Sequence, residues 1–173
     1  LGANQSGHIA AVGYDMFLKL MEHAVCEMKG DPVVESLEPE INMPMSAFLP
    51  EDYILDIDQR LSAYRRLARM TDLKGITDFK AELEDRYGPL PEAGANLLLK
   101  IMLKVLAARA GVKRLDLQGQ QLQLFFSEIH QKTPYGIVEF VMARQKSCEY
   151  TPDQVLKVRL TKGSANRLLV QTK

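Results

Sequence analysis

The chain has 173 residues, with 22 Lys plus Arg against 22 Asp plus Glu and a formal net charge of zero. This length suffices for one substantial domain or two small ones sharing a core. The balanced charge gives no support to a broadly basic, autonomous nucleic-acid binder and leaves room only for a local patch.

Cys26 and Cys148 are the only cysteines and sit in no Cys/His or C-x-x-C spacing. That excludes a written zinc or redox motif and suggests a reducing, cytoplasmic setting. No run is apolar enough to span a membrane, and the N-terminus lacks the pattern of a signal peptide. Trp is absent and Phe and Tyr are few, which offers little for base stacking.

Leu1 to Gly13 reads as a loop punctuated by Gly2, Gly7 and Gly13. From Tyr14 to Lys29 apolar residues recur at helical spacing, and Gly30-Asp31-Pro32 ends the run before an acidic linker to Pro39. In EINMPMSAFLPEDYI, Glu40 to Ile54, the alternation of Ile41, Met43 and Met45 predicts a short strand and an extended arm. Pro44 and Pro50 forbid a helix there, and Pro44 points to a sheet edge. A basic helix follows from about Asp56 to Met70, with Ile57, Leu61, Tyr64 and Leu67 inward. The next runs from about Ile76 to Tyr87, with Ile76, Phe79, Leu83 and Tyr87 inward, and Gly88-Pro89 stops it. Pro91 to about Ala110 is the longest helix, apolar over a wide face and expected at the centre of the fold.

VKRLDLQ and QLQLFF, separated by Gly119-Gln120, read as a β-hairpin with Val112, Leu115, Leu117, Leu122, Leu124 and Phe126 as candidates for burial. A helix from about Pro134 to Arg144 carries Ile137, Val138, Phe140 and Val141. VLKVRL and NRLLVQT then predict a second hairpin around Lys162-Gly163-Ser164. Helices segregated from antiparallel hairpins imply an α+β fold.

There is no nucleotide-binding glycine loop and no G-x-S-x-G nucleophile. His8, His23 and His130 are scattered, so no catalytic residue and no metal ligand set is assigned. Paired carboxylates such as Glu82 and Asp85 are common on solvated helices and point weakly to acid–base chemistry. In ELEDRYGPLP, Glu82, Asp85 and Arg86 fall at i, i+3 and i+4, opposite an inward Phe79, Leu83 and Tyr87. The plain reading is a solvated face with a local ion pair; the sharper one is a docking surface. RLSAYRRLAR, Arg60 to Arg69, invites a nucleic-acid-binding alternative. Its arginines do not share one stripe at 3.6 residues per turn, and Asp56 and Asp58 offer charge partners, so an ion-paired surface is preferred.

LGANQSGHIAAVGYDMF, FLPEDYILDIDQRLSAYRRLA and ELEDRYGPLPEAGANLLLKIMLKVLAARAGVKRL, in that order, resemble the C-terminal end of the bacterial transcription-repair coupling factors, the Mfd family. The resemblance is specific from Leu1 to about Phe126. It implies an ATP-driven double-stranded DNA translocase that displaces stalled RNA polymerase and recruits excision repair. This chain would be its last, non-catalytic regulatory domain, with ATP and magnesium confined to the motor upstream. In the family that domain docks on an N-terminal UvrB-like module and masks UvrA binding. Glu82, Asp85 and Arg86 match the docking run and are the expected interface residues. Gln5, Ser6 and Gly7 match the end of a translocation motif shared with RecG. The resemblance divides the chain into the motif remnant at 1–13, a connecting helix and linker at 14–38, and the C-terminal domain at 39–173. It also implies that Leu1 to Gly7 is poorly ordered or held by a neighbour.

Overall fold

A computed structural model of the chain describes residues 38–128 and 134–160. The expectations for Gln5, Ser6 and Gly7, for the helix from Tyr14, for Cys26 and the three histidines, and for NRLLVQT lie outside those residues. The order of elements is that of an α+β protein: β1 (Glu40–Asn42), α1 (Ile57–Ala68), α2 (Leu73–Tyr87), α3 (Glu92–Arg109), β2 (Val112–Gln118), β3 (Gln121–Phe126), α4 (Tyr135–Met142), β4 (Cys148–Tyr150) and β5 (Val155–Arg159). The described residues fall into two compact units, one of residues 45–102 and one of residues 38–44, 103–128 and 134–160. The sequence reading grouped 39–173 as a single domain.

The first unit is helical, and its helices begin where carboxylates can satisfy free backbone N–H groups. The Asp56 side chain accepts from Gln59 N at 2.8 Å to start α1, and Asp72 accepts from Gly75 N at 2.8 Å to start α2. The Asp72 cap places the start of α2 three residues before the sequence estimate. Gly88, at φ 85°, ends α2 in a conformation that a side chain disfavours. Ile76, Phe79 and Leu83 of α2 are buried as expected, as are Leu97, Leu98 and Ile101 of α3. The arm before α1 is tied to the start of α3, with Phe48 N donating to Ala93 O at 3.2 Å and Asn96 Nδ2 to Ser46 O at 3.0 Å.

The inner face of α1 differs from the predicted one. Its buried stripe is Arg60, Ala63, Tyr64 and Leu67, while Ile57 and Leu61 are half-exposed. Arg60 is only 5% exposed, and its Nη1 donates to the carbonyl of buried Ile54 at 2.6 Å. Its aliphatic stem packs inside while the guanidinium satisfies that carbonyl. Tyr64 is buried beside it and its hydroxyl accepts from Leu49 N at 2.8 Å. Burial is the main reason its pKa is raised above the ordinary tyrosine value.

The second unit is a five-stranded sheet in the order β1-β2-β3-β5-β4. β1 is an edge strand, as Pro44 suggested. It pairs parallel with β2, so the sheet is mixed and not built of antiparallel hairpins alone. Three helices separate the two strands in the chain, and a connection of that length permits parallel pairing. The β2–β3 hairpin turns at Gly119, φ 60°. Its register shifts by one residue between Val112 and Arg114, leaving Lys113 as a bulge. The bulge puts Val112 on the same face as Leu115, where simple alternation would not.

Directly opposite residues then build one apolar face. Ile41, Leu115, Leu124, Leu156 and Tyr150 form one row, and Leu117, Leu122, Val158 and Cys148 another. Ile137 and Val141 of α4 pack against this core together with Leu103 and Ala107 of α3. The other two apolar residues noted on this helix, Val138 and Phe140, are 37% and 41% exposed. β5 pairs with β3 on one side and with β4 on the other. The partner of VLKVRL is therefore CEY, Cys148 to Tyr150, a three-residue strand too short to read from alternation.

Candidate functional site

The docking run lies on the last two turns of α2. Glu82 is about 60° round the helix from Phe79, which places it on the flank of the buried stripe and not opposite it. From there it reaches α1. Arg66 donates to both its carboxylate oxygens, Nη1 to Oε1 and Nη2 to Oε2, each at 2.7 Å. The same guanidinium lies 4.5 Å from the centre of the Phe79 ring. Arg86 adds a longer contact to Glu82 at 3.5 Å from the next turn. The hydrogen bonds from Arg66, followed by the attraction of Arg66 and Arg86, hold the Glu82 carboxyl below the usual carboxylate range. The hydrogen bond to Glu82 likewise raises the pKa of Arg66.

A second set of contacts continues toward the end of the helix. The Tyr87 hydroxyl donates to Gln59 Oε1 at 2.6 Å, and Arg86 Nη2 lies 3.4 Å from the same oxygen. Tyr53 meets Tyr87 edge to face with ring centres 5.8 Å apart. The Tyr53 hydroxyl lies within hydrogen-bond distance of two carbonyls, Gly88 at 2.9 Å and Leu83 at 3.1 Å, which its single proton must serve. Burial raises the Tyr53 pKa, and the Glu84 carboxylate adds to the shift. Glu82 and Arg86 are thus held by Arg66 and Gln59 of α1, while the arm braces the end of α2 through Tyr53.

Asp85 differs from both. It is exposed, and among the described residues no hydrogen bond or ion pair engages it. The site therefore combines one free carboxylate with one carboxylate whose two oxygens already carry Arg66. Arg86 already approaches Oε1 as well, so Oε2 is the Glu82 oxygen that can accept one further donor. Sequence reasoning named the α2 side and missed the α1 side. Gln59 and Arg66 are seven residues apart, a spacing that puts both on one face of α1 and could have revealed it.

The basic helix offers little free charge for a polyanion. Arg60 is turned inward and Arg66 is taken by Glu82. Asp56, expected to pair with these arginines, caps the helix instead. Arg65 and Arg69 remain exposed. Among the described residues no cluster of three metal-ligating side chains occurs, and no helix is long and apolar enough to cross a membrane.

Comparison with known proteins matches residues 43–137 to the TRCF domain. A transcription-repair-coupling factor of Myxococcus xanthus is 32% identical over 98% of this chain and 14% of its own length. Those of Haemophilus influenzae and Escherichia coli are 34% and 31% identical over 82% and 80% of the chain. A crystal structure of the C-terminal domain of transcription-repair coupling factor shares the fold, with a TM-score of 0.60 at 20% identity, covering 70% of this chain and 78% of that one. The fold class is therefore that of a repair-factor C-terminal domain, and the solved structure matched is that domain without a motor. The chain belongs to the TRCF domain family. It spans about a seventh of the length of the curated relatives it matches.

Proposed function

We propose that this domain is a regulatory, autoinhibitory docking domain within a longer DNA-repair protein, an ATP-dependent translocase that displaces stalled RNA polymerase. Its docking partner is a UvrB-like module of the same protein, and docking hides the surface that binds UvrA. ATP, magnesium and the double-stranded DNA along which the protein moves belong to the motor in this reading. Membership of the TRCF domain family supports the assignment to the repair protein. Asp85, exposed and unpaired among the described residues beside an anchored Glu82 and Arg86, is the observation that supports the docking face.

Docking follows from this charge arrangement. A basic group on the partner meets Asp85 in full and reaches Glu82 Oε2, while Arg86 sets orientation. Such a contact is specific, sensitive to salt and releasable, because it lacks the large apolar area of an obligate interface. In the longer protein the two parts share one chain, so effective concentration compensates for weak affinity. The test is a calorimetric titration of the 173-residue chain against the isolated UvrB-like module at low salt. Weak binding is expected, abolished by Asp85→Lys and reduced by added salt. No heat of binding at low salt, or binding unaffected by Asp85→Lys, would overturn the docking face.

A further inference from the structure

The sheet has a second face, turned away from the apolar core. Alternation along β5 puts Leu156 and Val158 into the core and Lys157 and Arg159 on the other side. The register sets Gln121 of β3 opposite Arg159, and both Gln123 and Glu149 opposite Lys157. Beside the β2–β3 turn Gln121, Glu149, Lys157 and Arg159 line a concavity of about 370 Å³, closed on one side by Lys146 and Gln145 from the segment leading into β4. Among the described residues, none of the ion pairs or hydrogen-bonded side chains engages Lys146, Lys157 or Arg159. Glu149 is the only carboxylate in the lining, and it makes no ion pair with Lys157 across the strands.

Three cations against one carboxylate leave the concavity with an excess of positive charge, and an anion joining them relieves their mutual repulsion. We propose that this concavity binds the phosphodiester backbone of a nucleic acid. Phosphate oxygens only accept hydrogen bonds, and Lys, Arg and the glutamine amides here supply donors. Lys157 and Arg159 are two residues apart on one strand, so their Cα atoms stand about 6.6 Å apart. That separation suits successive phosphates of a polymer better than one small anion held in a closed cradle. Among the described residues no aromatic side chain lines the site, so the contact rests on the backbone and is independent of sequence. The site lies in the sheet unit and does not depend on the α2 docking face.

The test uses the 173-residue chain and a fluorescently labelled duplex, read by anisotropy from about 20 to 200 mM salt. Weak binding is expected, with a log–log salt slope of roughly −2 to −3, since each neutralised phosphate contributes about −0.9. Lys157→Gln with Arg159→Gln should cut the slope by about two and weaken binding roughly tenfold at low salt, leaving the thermal melt unchanged. Lys146→Gln alone, in a loop where no fold is at stake, should cut the slope by about one. Arg65→Gln with Arg69→Gln on α1 should change neither. Three results would overturn the proposal: no duplex binding at the lowest salt, loss of binding with the α1 variant but not the β5 variant, or displacement of the duplex by inorganic phosphate beyond that of chloride at equal ionic strength.

Discussion

In the helical unit Arg66 gives both terminal nitrogens to Glu82, and Arg60 gives one to a buried carbonyl. In the sheet unit Lys146, Lys157 and Arg159 line one concavity with no ion pair among the described residues. By sequence the helix is the more basic of the two regions, with four arginines in ten residues. By structure it has less charge to offer. A count of basic residues measures neither their availability nor the potential they create outside the protein. Availability depends on which neighbours the fold brings within reach, and only the structure supplies them.

The comparison breaks most visibly at Arg60. Arg60→Ala removes the donor to the Ile54 carbonyl and the packing of a side chain 6% exposed. Chemical denaturation should show a loss of about 2–3 kcal/mol, the range for a buried hydrogen bond to a charged group. Arg65→Ala, one turn on and exposed, should stay within about 0.5 kcal/mol. Equal effects of the two would mean that Arg60 is no internal anchor.

Glu82→Gln sharpens the same contrast with a smaller effect. Its carboxylate is more than a third exposed, so the pair with Arg66 contributes about 0.5–1 kcal/mol after screening by solvent. The folded carboxyl titrates below its ordinary value of 4.5, so the contribution is present in full above that value. It disappears as pH falls through the lowered folded pKa. Melting curves of the wild type and Glu82→Gln should therefore differ between pH 6 and 8 and converge in strong acid. A gap that widens in acid would contradict the assignment.

The smallest expected effect is at Asp85. Asp85→Ala should change stability by less than about 0.5 kcal/mol, because nothing within the described fold depends on it. Any loss of docking by this variant is then a loss of contact and not of structure. Glu82→Ala cannot separate the two, since it strands Arg66 over the Phe79 ring.

The helices were legible because their signals are local. Asp56 and Gly88 mark ends within one turn, and the Ile76, Phe79, Leu83 spacing marks an inner face. The α1 face was misread because an arginine was assumed to point outward. Arg60 lies four residues before Tyr64 and seven before Leu67, on the same stripe, but its burial is made favourable by the Ile54 carbonyl, which the arm brings to it from outside the helix. The second hairpin was misread because strand pairing is non-local: the alternation of Val155 to Arg159 identifies a strand without naming its neighbours. The α2 residues of the candidate site could be read from family resemblance, yet Gln59, Arg66 and Tyr53 entered only when α1 and the arm met α2.

Periodicity, caps and turns determined by themselves the helices, the β2–β3 hairpin, the α+β class and the family, because each depends on neighbours within a few residues or on motifs in order. Tertiary structure decided the parallel pairing of β1 with β2, the bulge at Lys113, the burial of Arg60 and the capture of Glu82 by Arg66. Each of these joins atoms that no helix or strand period brings together, and their energy depends on distance and exposure that no local pattern records. Among the described residues the same physics leaves Asp85 and the β5 cations unpaired, and so open to a partner.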